Sequence, residues 1–195
     1  MTMMNSPSRS SGKIAVMLSG SGRSLENLCH CIDDGTLDAE IAVVITSREC
    51  LGAQKSRAHS IPTRVVPGQL TPQQLDAFVD EFMLDLIVLA GYLKRIPITK
   101  KTRGRIINIH PALLPNFGGP GMHGLHVHRA VLKAKANHTG CTVHFCDETY
   151  DTGSTIHQLQ CPIEPGDTAQ AIADKVFRLE CKALPHAVSM VLNGL

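Results

Sequence analysis

At 195 residues, with 43% hydrophobic and 18% charged residues, the chain has room for one compact domain with a sizeable core and is too apolar for disorder. A formal net charge of +2, with no basic run interleaved with aromatics, argues against a nucleic-acid partner, and no apolar run reaches membrane length. Seven cysteines, an odd number in a core-sized domain, fit a reducing compartment, taken here as the cytoplasm, better than a disulfide framework.

Residues 1–12, MTMMNSPSRSSG, are small, polar and Ser-rich, with no hydrophobic core for export. They are expected to be a flexible tail ahead of a single domain over 13–195. Residues 13–18, KIAVML, predict a buried first strand. It runs into Ser19-Gly20-Ser21-Gly22-Arg23-Ser24, after which Leu25, Leu28 and Ile32 recur at helical spacing. Strand, glycine turn and helix in that order make an anion site, because N–H groups of the turn and helix start face the ligand and the helix dipole assists them. Gly20, Ser21, Gly22, Arg23 and Ser24 are therefore the candidate phosphate-binding residues. The same glycines would also serve a tight crossover that binds nothing. The turn lacks the third glycine of a dinucleotide fingerprint, and no GKS or GKT follows it.

A second apolar strand is expected over 41–45, a short helix over 51–59 and an edge-like strand over 61–66. From Thr71 the period changes: Leu75, Phe78, Val79 and Phe82 share one helical face, with Pro72 in the first turn. Residues 86–90, LIVLA, read as a central strand that ends in Gly91-Tyr92-Leu93-Lys94-Arg95-Ile96. About the fifth strand runs through Ile106 and Ile107 into NIHPALLP at 108–115. A helix is expected over 123–135, a strand over 139–145, an antiparallel edge pairing over 155–159, and a last long helix over 167–183. Continuous apolar strands alternating with helices predict an α/β fold. Its form is a Rossmann-like open, mostly parallel sheet with helices on both faces and an antiparallel strand near the C-terminal edge.

The chemistry is expected at the end of the fifth strand. Asn108 and His110 are two apart, so on a strand they emerge on one face. An imidazole takes and returns a proton near neutral pH, and an amide donates a hydrogen bond to an oxyanion without titrating. Asp151 is the candidate carboxylate to orient His110 and raise its pKa, although spacing alone also allows an ordinary turn residue. His144, mid-strand, reads most simply as structural. Cys141, Cys146 and Cys161 read as core or pocket-wall residues, and no nucleophile elbow is present. No metal is expected. Cys29 and Cys31 lack a second ligand pair, and His123, His126 and His128 lack both an HExxH pattern and a nearby carboxylate.

Taken together, SGSGRSLEN, LAGYLKRIP, NIHPALLPNFGG, GMHGLHVHRAV and TVHFCDETYDTG stand in the order found in the folate-dependent formyltransferases. From about Lys13 onward the chain resembles the phosphoribosylglycinamide formyltransferases, also called glycinamide ribonucleotide transformylases. The resemblance implies that Asn108, His110 and Asp151 are the catalytic residues and that the turn after the first strand holds a ribonucleotide phosphate. It further implies a wall around the folate made by Tyr92, Leu93, Lys94, Arg95 and Ile96 with Phe145, Cys146, Asp147 and Asp151. The implied reaction moves a formyl group from the co-substrate 10-formyltetrahydrofolate to the amine of glycinamide ribonucleotide in purine biosynthesis. A monomer or homodimer acting on small molecules is the expected form.

Three positions depart from the pattern. Arg23 stands where relatives carry a small residue, Pro120 replaces a frequent lysine, and Cys181 replaces the histidine of a Glu-His pair. The readings to be weighed against transfer are a formyltetrahydrofolate deformylase and a non-catalytic folate or nucleotide-binding module. Deformylases usually carry an additional N-terminal domain and transfer-RNA formyltransferases a C-terminal one, for which only a short tail and no room, respectively, are expected here. A nicotinamide dehydrogenase fits less well, given the incomplete fingerprint.

Overall fold

The computed structural model describes residues 11–194. Most of the expected tail, 1–10, lies outside that range, and Gly12 already opens the first strand. β1 (Gly12–Leu18) runs through the middle of a seven-stranded sheet, and residues Ile14 to Leu18 are at most 1% exposed. Alternation sends Ile14, Val16 and Leu18 to one core and Ala15 and Met17 to another. A strand buried on both faces has no solvent side to carry polar residues, which explains the unbroken apolar run.

α1 (Arg23–Asp33) lays Leu25, Leu28 and Cys29 into the first core. β2 (Ala39–Thr46) pairs parallel with β1, α2 (Leu51–Ala58) follows, and the short β3 (Thr63–Val65) closes that edge. α3 (Pro72–Phe82) starts at a capping box in which Thr71 and Gln74 satisfy each other's backbone N–H groups. It covers the second core with Leu75 and Val79. β4 (Leu86–Leu89) pairs parallel with the other side of β1, and β5 (Ile106–His110) pairs parallel with β4. The strand order is β3-β2-β1-β4-β5-β6-β7, so the chain changes direction across the sheet between β1 and β4. That crevice, outside the carboxyl ends of the strands, is where open α/β sheets place ligands.

α4 (Leu125–Lys133) is shorter than the 123–135 expected, and His123 falls before it. β6 (His138–Phe145) runs antiparallel to β5, and β7 (Thr155–Pro162) antiparallel to β6. β6 is thus the reversed strand, and β7 at the edge returns to the direction of β5. The expected α/β class and mostly parallel sheet hold, with α1 and α5 packed on one core and α3 on the other.

α5 (Ala169–Leu192) differs most from expectation. It continues past Ala183, through Pro185, to a length of 24 residues. Proline has no N–H for the carbonyl four residues back, here that of Cys181, and this normally breaks a helix. The Asn27 side-chain amide on α1 donates to that carbonyl at 2.9 Å. With the orphan acceptor satisfied, the buried face of Leu184, Ala187 and Val188 outweighs the defect. Asn27→Ala should therefore lower stability by about 1–3 kcal/mol, read as a lower urea midpoint at unchanged slope. Adding Pro185→Ala, which restores the missing N–H, should recover much of that loss.

Candidate active site

Asn108 and His110 leave β5 on the face opposite Ile107 and Ile109. The antiparallel register sets Asn108 directly across from His144, and Asn108 Nδ2 lies 3.1 Å from His144 Nε2. His144 Nδ1 is 2.8 Å from the Phe145 carbonyl, so that nitrogen carries the hydrogen and Nε2 accepts from the amide in the neutral ring. His110 Nε2 donates to the Phe117 carbonyl at 2.8 Å. Asp151 faces both rings, with Oδ2 3.6 Å from His110 Nδ1 and Oδ1 3.5 Å from His144 Nε2. Its Oδ2 also accepts the Gly119 N–H at 2.8 Å. The two ring separations are long for direct hydrogen bonds and suit charge pairing or a bridging water.

The two residues that hold His110 are both bent into the left-handed region, Phe117 at φ 57° and Asp151 at φ 57°. For non-glycine residues that conformation costs about 1 kcal/mol or more each. The surrounding loops tolerate the strain because it aims a carbonyl and a carboxylate at one imidazole.

Burial pulls the His110 pKa below its ordinary value and outweighs the opposing pull of Asp151 and the Phe117 carbonyl. The carboxylate does pull the value up as expected, but the site is dry enough for desolvation to win. Burial pushes the Asp151 carboxyl up, but the facing His144 ring, the Gly119 N–H and the two imidazoles together hold it below its ordinary value. In the empty site the pair is a neutral imidazole beside a carboxylate.

These groups form one wall of a cavity of about 580 Å³ at the switch point. Gly20, Ser21, Gly22, Arg23 and Ser24 line it at the other end. Gly22 is the N-cap of α1 at φ 72°, and a Cβ there would come within 2.7 Å of the Gly52 Cα. Gly52 is itself without room, since a Cβ would meet Leu18 Cδ1 at 2.4 Å. The turn can therefore present bare N–H groups only because two glycines touch back to back. Arg23 does not simply point outward: its Cζ lies 3.6 Å from the Phe177 ring centroid, a cation–π stack at the cavity wall.

Tyr92, Leu93, Lys94, Arg95 and Ile96 line the cavity, as do Cys146, Asp147 and Asp151. Phe145 does not. It packs against the first core with Ile107 across the strand pair, and its carbonyl, not its ring, meets the site. Burial pushes the Cys146 thiol up to about 12, which leaves no thiolate nucleophile. Pro120 lines the cavity and Cys181 does not. His123 lines it too, with the His126 ring centroid 5.8 Å away, while His128 is buried with its Nδ1 unpartnered among the described residues. Among the described residues no cluster of three metal-ligating side chains occurs.

Sequence reasoning missed His144, Phe177 and Glu180. A histidine inside an apolar strand was the available signal for the first, since buried polar groups need partners. Val176, Glu180 and Leu184 share a helix face at i, i+4 spacing, so a carboxylate in the buried stripe of α5 marked the second group. Burial pushes the Glu180 carboxyl up to about 7 against the opposing charge of Arg23.

An open α/β sheet thus brings an amide, two imidazoles and a carboxylate together along one cavity at its switch point. The profile of the formyl transferase family matches residues 12–188, and the chain belongs to that family. It is 35% identical over 92% of its length to the chloroplastic phosphoribosylglycinamide formyltransferase of Arabidopsis thaliana, covering 65% of that protein. It is 38% identical over 93% of its length to the trifunctional purine biosynthetic protein adenosine-3 of Gallus gallus, covering 18% of it. The chain thus spans less than two thirds of these relatives. The phosphoribosylglycinamide formyltransferase of Haemophilus influenzae is 30% identical over 93% of this chain and 88% of its own. Glycinamide ribonucleotide transformylase 1 from Symbiobacterium toebii superposes with a TM-score of 0.87 at 27% identity, covering 100% of this chain and 94% of its own.

The depressed values carry a sign. The unfolded chain holds more protons than the folded one below the ordinary His110 value of 6.5, and again below the ordinary Asp151 value of 3.8. Both groups therefore cost stability as pH falls, His110 first. An NMR titration of the His110 ring in the empty protein should give a midpoint below 6.5, and Asp151→Asn should move it lower still.

Proposed function

We propose that the chain transfers the formyl group of 10-formyltetrahydrofolate to the amine of glycinamide ribonucleotide. The observation that carries this reading is the single cavity wall on which Asn108, His110 and Asp151 converge, between a turn of bare N–H groups and the loop 92–96. The turn 20–24 suits a phosphate dianion, with Arg23 stacked beside it. The loop 92–96 and the residues Cys146 and Asp147 suit a flat heteroaromatic ring, the folate. Family membership and the phosphoribosylglycinamide formyltransferases among its relatives support the same assignment.

The steps follow from the site's electrostatics. The uncharged amine attacks the formyl carbon, both held in line by the two subsites. Charge grows on the formyl oxygen, where the Asn108 amide donates a hydrogen bond. The amine nitrogen becomes positive as its bond to carbon forms. His110 is neutral in the empty site, so it is ready to take that proton through water. Developing oxyanion and the adjacent Asp151 carboxylate then favour the imidazolium, which returns the proton to the folate nitrogen as it leaves. Products are the formylated ribonucleotide and tetrahydrofolate. The setting we assign is cytoplasmic, with the protein as a monomer or homodimer.

A deformylase reading shares the fold: a formyltetrahydrofolate deformylase from Pseudomonas syringae superposes with a TM-score of 0.81 at 23% identity. The two separate on one assay. Supplied with 10-formyltetrahydrofolate, the protein should release tetrahydrofolate rapidly only when glycinamide ribonucleotide is added, with formylated ribonucleotide in equal amount. Release that ignores the ribonucleotide, with free formate as product, defeats the transferase reading. His110→Ala should lower kcat by about 10²–10⁴ and Asn108→Ala by about 10²–10³, with smaller changes in KM. Near-normal turnover in His110→Ala would remove the mechanism.

A further inference from the structure

Between the turn 20–24 and the loop 91–96 stands a buried residue outside the cavity lining. Ser19 follows β1 directly, is 2% exposed and is not part of the cavity lining. Its N–H donates to the Gly91 carbonyl at 3.0 Å, and its carbonyl accepts Arg48 Nε at 3.0 Å. Its hydroxyl accepts the Leu93 N–H at 3.0 Å and the Ser47 hydroxyl at 2.7 Å. One buried serine thus ties together the ends of β1 and β2 and the loop that follows β4.

The two structures it joins differ in their own support. The turn is fixed by the back-to-back contact of Gly22 with Gly52 and by the Gly52 N–H donated to the Gly20 carbonyl at 3.0 Å. The loop 91–96 has no regular secondary structure, and Leu93 in it is 52% exposed. Its polar ties are few: Ser19 near its start, and toward its end the Arg95 guanidinium on the Glu148 carbonyl and the Gln69 amide on the Arg95 carbonyl. Ser19 is covalently continuous with Gly20. An anion seated on the turn's N–H groups therefore stiffens the backbone from which the hydroxyl that holds Leu93 projects.

We infer that Ser19 is a positioning residue coupling the two subsites: a phosphate in the turn tightens the folate loop through the Ser19 hydroxyl and the Leu93 N–H, and folate reciprocally tightens the turn. The inference rests on the two-substrate reading above. Coupling of this kind is a shared free energy, so each ligand changes the other's affinity by the same factor.

The test measures binding without turnover. The folate probe is 5,8-dideazafolate, titrated calorimetrically into the protein with and without saturating glycinamide ribonucleotide. In the unaltered protein the ribonucleotide should tighten the probe by about fivefold or more. In Ser19→Ala that ratio should fall to about one. Ser47→Ala removes a buried hydrogen bond from the same hydroxyl but leaves the Leu93 bond, so it should keep the full ratio. A purely structural serine would lower the melting temperature of both variants alike and leave both ratios intact, which overturns the inference. A ratio of one in the unaltered protein overturns it as well. Should Ser19→Ala not fold, Ser19→Cys, with its weak sulfur acceptor, should lose most of the ratio, and an intact ratio there counts against the coupling. Failure of the unaltered protein to bind either ligand or to transfer formyl would instead bring down the two-substrate reading, and the coupling with it.

Discussion

The register of one antiparallel strand pair governs the site. With Asn108 opposite His144, two nitrogen-bearing side chains share a face and lock together at 3.1 Å. A slip of β6 by one residue would turn His144 toward the opposite core and leave Asn108 without it. β6 then runs from His144 into the loop that carries Asp151, which reaches back to both imidazoles. β5 and β6 are joined by residues 111–137, α4 among them, so pairing across the sheet and not proximity in sequence brings Asn108 and His144 together.

The electrostatics depend on that closure. His110 is buried among apolar neighbours and its carboxylate partner sits beyond direct hydrogen-bond distance, so desolvation decides its charge. The result is a base held neutral in the empty site with a counter-ion already in place for the protonated form. Asp151 is held below its ordinary value by the Gly119 N–H and the two facing imidazoles, on a residue whose φ is left-handed. The same low-dielectric surroundings that depress His110 strengthen its attraction to a developing oxyanion. One environment therefore serves both halves of a proton cycle.

The other half of the cavity is built on close approach. Gly22 and Gly52 leave no room for a Cβ, and this contact brings α2 against the turn that heads α1. Across the switch point, Ser19 fastens the turn to the loop after β4. The fold thus joins its two subsites at the sheet's centre, where β1 and β4 are neighbours. α5 contributes from outside, with Phe177 as a platform for Arg23 and Glu180 beneath it. Beyond those two residues the same helix continues through Pro185, where Asn27 satisfies the carbonyl that the proline abandons.

Local chemistry alone determined the strand-turn-helix order, the parallel half of the sheet and the emergence of Asn108 and His110 on one face. Those follow from period, glycine placement and strand alternation, which act over a few residues. Motif order likewise pointed to the family. The end of α5 was not legible, because the donor that rescues its proline lies on α1. Nor was the outcome of the contest over His110's charge, because burial is a property of the whole packed domain. His144 looked structural until β6 was seen to pair with β5, and Phe145 looked like a pocket wall until its ring was seen to face the core. In each case the deciding partner is distant in sequence, and only tertiary structure brings it within reach.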